Sequence, residues 1–124
     1  MNEKTTSQKI VIVTGASSGI GTAITRLFAE NGYVVLAAGR DAKRLDDVAG
    51  QCDGVTPWVG DLTTEEACDR LIEDCIRQFG RLDVLINNAG IYIRGDATET
   101  SADDWRKTLA VNLDAPFFLS KASI

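Results

Sequence analysis

The stretch Ile10-Val11-Ile12-Val13-Thr14-Gly15-Ala16-Ser17-Ser18-Gly19-Ile20-Gly21 decides how this chain folds. Its first four residues are all β-branched, the pattern of a strand covered on both faces, as in a parallel sheet. The strand runs directly into glycines, and the glycines into an amphipathic segment. Ile20, Ala23, Ile24, Leu27 and Phe28 recur there at helical spacing, predicting an apolar helix face that stops at Asn31-Gly32. A glycine-rich turn between a strand and a helix amino terminus presents backbone N–H groups and the positive end of the helix dipole, which favours a bound phosphate.

The same unit repeats outward. Val34-Val35-Leu36-Ala37-Ala38 reads as a second strand, followed by a short helix around Leu45, Val48 and Ala49 that ends at Gly50. Val55 to Val59 is a third strand. Thr63 with Glu66 forms a capping box for a helix whose apolar face is Ala67, Cys68, Leu71, Ile72, Cys75, Ile76 and Phe79, with Gly80 as its stop. Leu82 to Ile86 is a fourth strand running into Asn87-Asn88-Ala89-Gly90. Ser101 with Asp104 caps a helix carrying Trp105 and Leu109, and one more helix begins near Leu113. Strands alternating with helices imply right-handed crossovers and a parallel sheet with helices on both faces, an α/β fold.

Composition narrows the function. The 124 residues suit one small domain, and the 44% apolar and 25% charged content is that of a globular protein. Thirteen Lys and Arg against 18 Asp and Glu leave a formal charge of −5 with no basic stripe, so no nucleic-acid partner is expected. No apolar run approaches the roughly 20 residues of a spanning helix, so no membrane partner is expected and the location expected is cytoplasmic. Cys52, Cys68 and Cys75 lack C-x-x-C spacing, so neither a disulfide framework nor a metal site is indicated. Cys68 and Cys75, seven apart on one helix face, read as buried small thiols. The sequence has no histidine, which excludes Ser-His-Asp and Cys-His mechanisms built from this chain alone. Trp58 and Trp105 lie in periodic apolar segments and read as packing residues.

The turn is not a G-x-G-x-x-G fingerprint, since Ile24 stands where a third glycine would, and it is not a P-loop, since no Gly-Lys-Ser or Gly-Lys-Thr follows. It resembles the T-G-x-x-x-G-x-G turn of the short-chain dehydrogenases and reductases. Three further matches follow in that family's order: Asp61-Leu62 after the third strand, Asn87-Asn88-Ala89-Gly90 after the fourth, and Val111-Asn112 after the next helix. The resemblance implies a Rossmann-type doubly wound sheet, incomplete, holding strands one to four of the usual set in the order 3-2-1-4. It also implies a nicotinamide dinucleotide cofactor. Gly15, Ser17, Ser18, Gly19, Ile20 and Gly21 would follow its phosphates and adjoining ribose. Asp61 and Leu62 would hold the adenine, the carboxylate accepting from the exocyclic amine. Asn87, Ala89 and Gly90 would border a ribose, while Asn88 ties the central strands together. Asn112 matches the Asn of the family's Asn-Ser-Tyr-Lys tetrad.

NAD-preferring relatives carry an Asp at the end of the second strand, where this sequence has Gly39. Arg40 follows, with a planar cationic fork suited to the 2′-phosphate of NADP, so NADP(H) is expected to be favoured over NAD(H). The competing reading makes Arg40, Lys43 and Arg44 a solvated first helical turn. The family's chemistry is hydride transfer between nicotinamide and a carbonyl or alcohol, with a Tyr assisted by a Lys four residues later. Here Tyr33 is followed at that distance by Ala37 and Tyr92 by Asp96, and neither Ser120 nor Ser123 matches the catalytic Ser. Tyr92, Ile93 and Arg94 stand where a substrate cleft would begin.

Residues 1–124 are therefore expected to be a single dinucleotide-binding domain, cut short on its carboxyl side, of an NAD(P)(H)-dependent oxidoreductase that homo-oligomerises and acts on a small carbonyl or alcohol. On this reading the chain alone has no turnover, and its fourth strand and the segment Phe117-Phe118-Leu119 leave apolar surface uncovered. The alternative is a non-catalytic NADP(H)-binding sensor or a module completed by another chain.

Overall fold

The computed structural model describes residues 8–124. Four parallel strands form one sheet in the order β3-β2-β1-β4, with β1 Ile10–Thr14, β2 Val34–Gly39, β3 Val55–Val59 and β4 Val84–Ile86. The expected α/β architecture and strand order are both present. Val11 pairs in register with Val35 on one side and Val84 on the other, so β1 is central, and all five of its residues are buried. Pro57 is tolerated in β3 because that strand lies at the sheet edge, where a missing N–H donor costs least.

Alternation along β1 and β2 divides the core into two layers. Ile10, Ile12, Leu36 and Ala38 face one side, against Cys68, Leu71, Ile72 and Cys75 of α3 (Glu65–Phe79) and Ala115 and Leu119 of α5 (Ala115–Ser123). Val11, Val13, Val35 and Ala37 face the other, against Leu45 of α2 (Ala42–Gln51) and Ile24 and Phe28 of α1 (Gly19–Glu30). Each fully buried Val, Leu or Ile contributes about 1.5–3 kcal/mol of transfer free energy, which holds helices on both faces and fixes where the strand ends lie. Among the described residues no helix is long and apolar enough to cross a membrane.

Several local expectations shift. Helix α1 buries Gly21 and Thr25, and leaves Ile20 73% and Leu27 61% exposed. The close approach of this helix to the turn after β1 requires a glycine at position 21, so Ile20 and Leu27 are rotated outward while Ile24 and Phe28 pack against the sheet as expected. The cap of α3 is Thr64, whose hydroxyl accepts from the Ala67 amide at 3.2 Å, one residue beyond the Thr63–Glu66 pair. Helix α2 runs one residue past Gly50, to Gln51, and β4 is shorter than Leu82 to Ile86. The Ser101 cap is present, its hydroxyl accepting from the Asp104 amide at 3.0 Å. It opens α4 (Ala102–Leu109), which passes through a π-helical turn at Ala110–Asp114 into α5 as one uninterrupted rod. Trp105 is 59% exposed and packs into no core layer, because α4 buries no residue. Leu119 is buried and Phe118 packs against the core, so of Phe117-Phe118-Leu119 only Phe117 is left largely in the open.

Candidate functional site

The carboxyl ends of β1, β2, β3 and β4 all open on one cleft of about 340 Å³. Its walls include Gly15, Ser17 and Ser18 after β1, Gly39 and Arg40 after β2, Gly60, Asp61 and Leu62 after β3, and Ala89 and Gly90 after β4. Parallel strands deliver all their carboxyl ends to one side of a sheet, which is where ligands of open α/β sheets bind.

Three hydrogen bonds fix the turn after β1. The Ala16 amide donates to the Ala38 carbonyl at 3.1 Å, the Thr22 hydroxyl donates to the Ala16 carbonyl at 2.9 Å, and the Asn88 side-chain amide donates to the Gly15 carbonyl at 3.2 Å. Among the described residues the amides of Ser17 and Ser18, just ahead of α1, have no partner. Such N–H groups at a helix amino terminus are anion donors in waiting.

The glycines of this turn divide their work. Gly15 adopts φ +64° and lies so close to the next loop that a Cβ would stand 2.8 Å from the Ala89 Cα. Gly21 is buried, and a Cβ there would collide with the Gly15 carbonyl. Gly19 adopts φ +41° with nothing within 4 Å of the position of a Cβ, so its backbone is open to an approaching group.

Thr14, buried at the end of β1, anchors the loop after β4: its hydroxyl oxygen accepts from the amides of Asn88 at 3.1 Å and Ala89 at 3.0 Å. Together with Asn88 it clamps β1 to β4 where the two strands enter the cleft. Asn112, in the π-helical turn, is tied to the same loop. Its Oδ1 accepts from the Ile91 amide at 2.8 Å and its Nδ2 donates to the Ile91 carbonyl at 2.9 Å. A π turn opens helical backbone hydrogen bonding locally and commonly accompanies functional sites.

Of the sequence candidates, Gly15, Ser17, Ser18, Arg40, Asp61, Leu62, Ala89 and Gly90 line the cleft. Gly19, Ile20, Gly21, Asn87 and Asn112 do not: Ile20, Gly19 and Asn87 are exposed, Gly21 packs beneath the turn, and Asn112 stands behind Ile91. The cleft adds Gly39, Asp41, Arg44, Gly60, Ile91 and Val111. Gly60 had a signal in its place just before Asp61; a Cβ there would meet the Trp58 ring at 2.5 Å, so the glycine lets the chain pass that indole. Trp58 is the packing residue expected, its Nε1 donating to Asp74 at 2.9 Å with the Arg70 guanidinium 5.9 Å from its ring centre. That hydrogen bond is the largest influence holding the Asp74 carboxyl below the usual carboxylate range. Cys68 and Cys75 lie in the core under α3, and burial pushes each thiol up to about 11. Among the described residues no group of His, Cys, Asp or Glu could hold a metal ion.

The family description of short chain dehydrogenases matches residues 9–124. An uncharacterized oxidoreductase of Staphylococcus aureus (strain MRSA252) is 38% identical over 120 residues, which are 95% of this chain and 52% of that protein. The meso-2,3-butanediol dehydrogenase of Serratia marcescens is 36% identical over 118 residues, 94% of this chain and 47% of that one. Among solved structures, a metagenomic short-chain oxidoreductase in complex with NADP superposes with a TM-score of 0.88 at 34% identity, over 92% of this chain and 54% of the other. A short-chain dehydrogenase from Streptomyces avermitilis gives a TM-score of 0.87 at 34% identity, over 94% and 43% respectively. The chain spans about half the length of the relatives it matches.

Proposed function

The chain belongs to the short-chain dehydrogenase family, and on that premise we propose that it is the cofactor-binding part of an oxidoreductase that takes NADP(H) in preference to NAD(H). The observation that carries this reading is the end of β2. Gly39 has no carboxylate to accept from a ribose 2′-hydroxyl, and a Cβ there would already sit 3.1 Å from the Ser17 hydroxyl. The next residue, Arg40, is exposed along the cleft wall with its charge free of any ion pair among the described residues. A guanidinium in that position suits a phosphate dianion.

The residues present fit a dinucleotide. Its pyrophosphate belongs over the turn from Gly15 to Gly21, where the Ser17 and Ser18 amides lack partners and the Gly19 backbone is open. Ile20 flanks that position. Its adenine belongs against Asp61 and Leu62, and the ribose toward the nicotinamide against Ala89 and Gly90, with Asn87 exposed just outside the lining. When bound, this cofactor supplies hydride exchange with a carbonyl or alcohol carbon. The chain's own residues bind and orient. Asn112, through its paired hydrogen bonds to Ile91, positions the loop beside the reacting end. The proton-transferring Ser, Tyr and Lys of the family have no counterpart in these 124 residues, so the chain by itself is proposed to be inactive, and the substrate and any homo-oligomer belong to the whole protein.

Calorimetric titration with NADPH and NADH tests the assignment. Losing one charge-assisted hydrogen bond costs about 1.5–3 kcal/mol, so Arg40→Ala should weaken NADPH by about 10- to 100-fold and leave NADH nearly unchanged. Equal losses for both would overturn it.

A further inference from the structure

One acidic side chain does stand beside the end of β2, two residues beyond Gly39. Asp41 lines the cleft together with Arg40 and Arg44. A free carboxylate there would work against a phosphate and in favour of a bare ribose hydroxyl, the reverse of the preference proposed for Arg40. The structure gives it other work. Asp41 is the amino-terminal cap of α2, where its Oδ1 accepts from the Arg44 amide at 3.1 Å, and its Oδ2 lies 3.4 Å from the Arg44 Nε. Both oxygens are committed to one residue. Arg44 in turn spends only its Nε edge on Asp41, and its terminal amines have no partner among the described residues.

We propose that Asp41 and Arg44 act as a unit that sharpens selection for a 2′-phosphorylated adenosine: Arg44 is a second cation for that phosphate, and its ion pair keeps Asp41 from serving a ribose hydroxyl. This rests on the reading of the cleft as a dinucleotide site.

Charge counting supports the division of labour. Arg40 and Arg44 with Asp41 leave a local surplus of one positive charge, whereas Arg40 and Asp41 alone cancel. The ion pair is half-exposed, with side-chain exposures of 65% and 50%. Exposed pairs of this kind contribute almost nothing to folding. Its removal should therefore change ligand selection without unfolding the protein. Asp41→Asn retains a good cap, since Asn and Asp are equivalent at that position.

The test uses 2′,5′-ADP and 5′-ADP as probes of the adenosine end, titrated by calorimetry into the protein and its Arg44→Ala, Asp41→Asn, double and Arg40→Ala variants. Arg44→Ala should weaken 2′,5′-ADP by about tenfold or more, leave 5′-ADP as tight as before or tighter, and keep the melting temperature. In the Asp41→Asn background the loss should be smaller, because no carboxylate is released to face the phosphate. Affinity for 2′,5′-ADP unchanged within about twofold in Arg44→Ala, or an equal loss for both probes, would overturn the inference. If Arg40→Ala abolishes the preference while Arg44→Ala leaves it intact, the dinucleotide reading stands and Arg44 is removed from it. Failure of the unaltered protein to bind either probe would overturn both.

Discussion

Gly21→Ala is expected to damage the fold, and Gly19→Ala is not, although both glycines belong to one turn. A methyl group at Gly21 would collide with the Gly15 carbonyl and come within 2.6 Å of the Asn88 Nδ2. Neither neighbour can retreat. Gly15 is pressed against Ala89 on its other side, and Asn88 is held through its amide by Thr14. Helix α1 must therefore back away from the turn, which costs about 1–3 kcal/mol for overpacking plus about 0.5–1.5 kcal/mol for the Asn88–Gly15 hydrogen bond. The better helix propensity of Ala returns about 1 kcal/mol. A net loss of roughly 1–3 kcal/mol should lower the melting temperature by about 5–15 °C in a domain of this size. At Gly19 there is nothing within 4 Å to strike, and φ +41° costs an Ala only about 1 kcal/mol. Urea unfolding followed by tryptophan fluorescence measures both variants. Gly21→Ala with unchanged stability, or Gly19→Ala the more damaging of the two, would refute this account of the turn.

The Asp74 carboxyl is depressed chiefly by the Trp58 hydrogen bond, then by Arg77. A group whose folded value lies below its unfolded one stabilises the protein above that unfolded value, near 3.8, and the contribution vanishes as pH falls through the folded value. Trp58→Phe should flatten the loss of stability below about pH 4, and an identical acid limb in wild type and variant would count against the Trp58–Asp74 bond. With Cys68 and Cys75 buried and raised to about 11, a thiol reagent at pH 8 should label half-buried Cys52 first and the others only on unfolding; rapid labelling of all three would contradict the packing under α3. Strand β4 forms a sheet edge with half-buried Val84, Leu85 and Ile86, and Phe117 is 62% exposed, so the isolated chain should self-associate at micromolar concentration. Sedimentation showing a compact monomer would overturn that expectation.

How far the sequence carries the argument depends on whether a feature is written in neighbouring residues or in distances across the fold. The β-branched run of β1, the left-handed stops at Gly32 and Gly80 and the Ser101 cap are local, and each is legible without coordinates. The face of α1 is not. Ile20, Ala23, Ile24, Leu27 and Phe28 satisfy helical periodicity, yet only Ile24 and Phe28 of them pack on the sheet, because the arc that meets it is set by Gly21 lying under the Gly15 carbonyl, a contact between helix and turn that periodicity cannot express. The rod from α4 to α5 was concealed for a related reason: Asn112 is bound to Ile91, 21 residues earlier, and the π turn accommodates that long-range bond. The cleft follows the same division. Motifs mark Gly15, Ser17, Asp61 and Ala89 because they stand at strand ends, and a parallel sheet gathers strand ends automatically. Gly60 and Arg44 escape such marking, since the glycine is required by the Trp58 indole that passes beside it, and Arg44 lies in the first turn of α2, where it meets the capping Asp41 and lines the cleft. In this chain, the strand-end residues that line the cleft belong to motifs, while the charged residues on its α2 side are placed by helix capping and packing. It follows that selectivity should respond to changes around α2 that leave every motif intact.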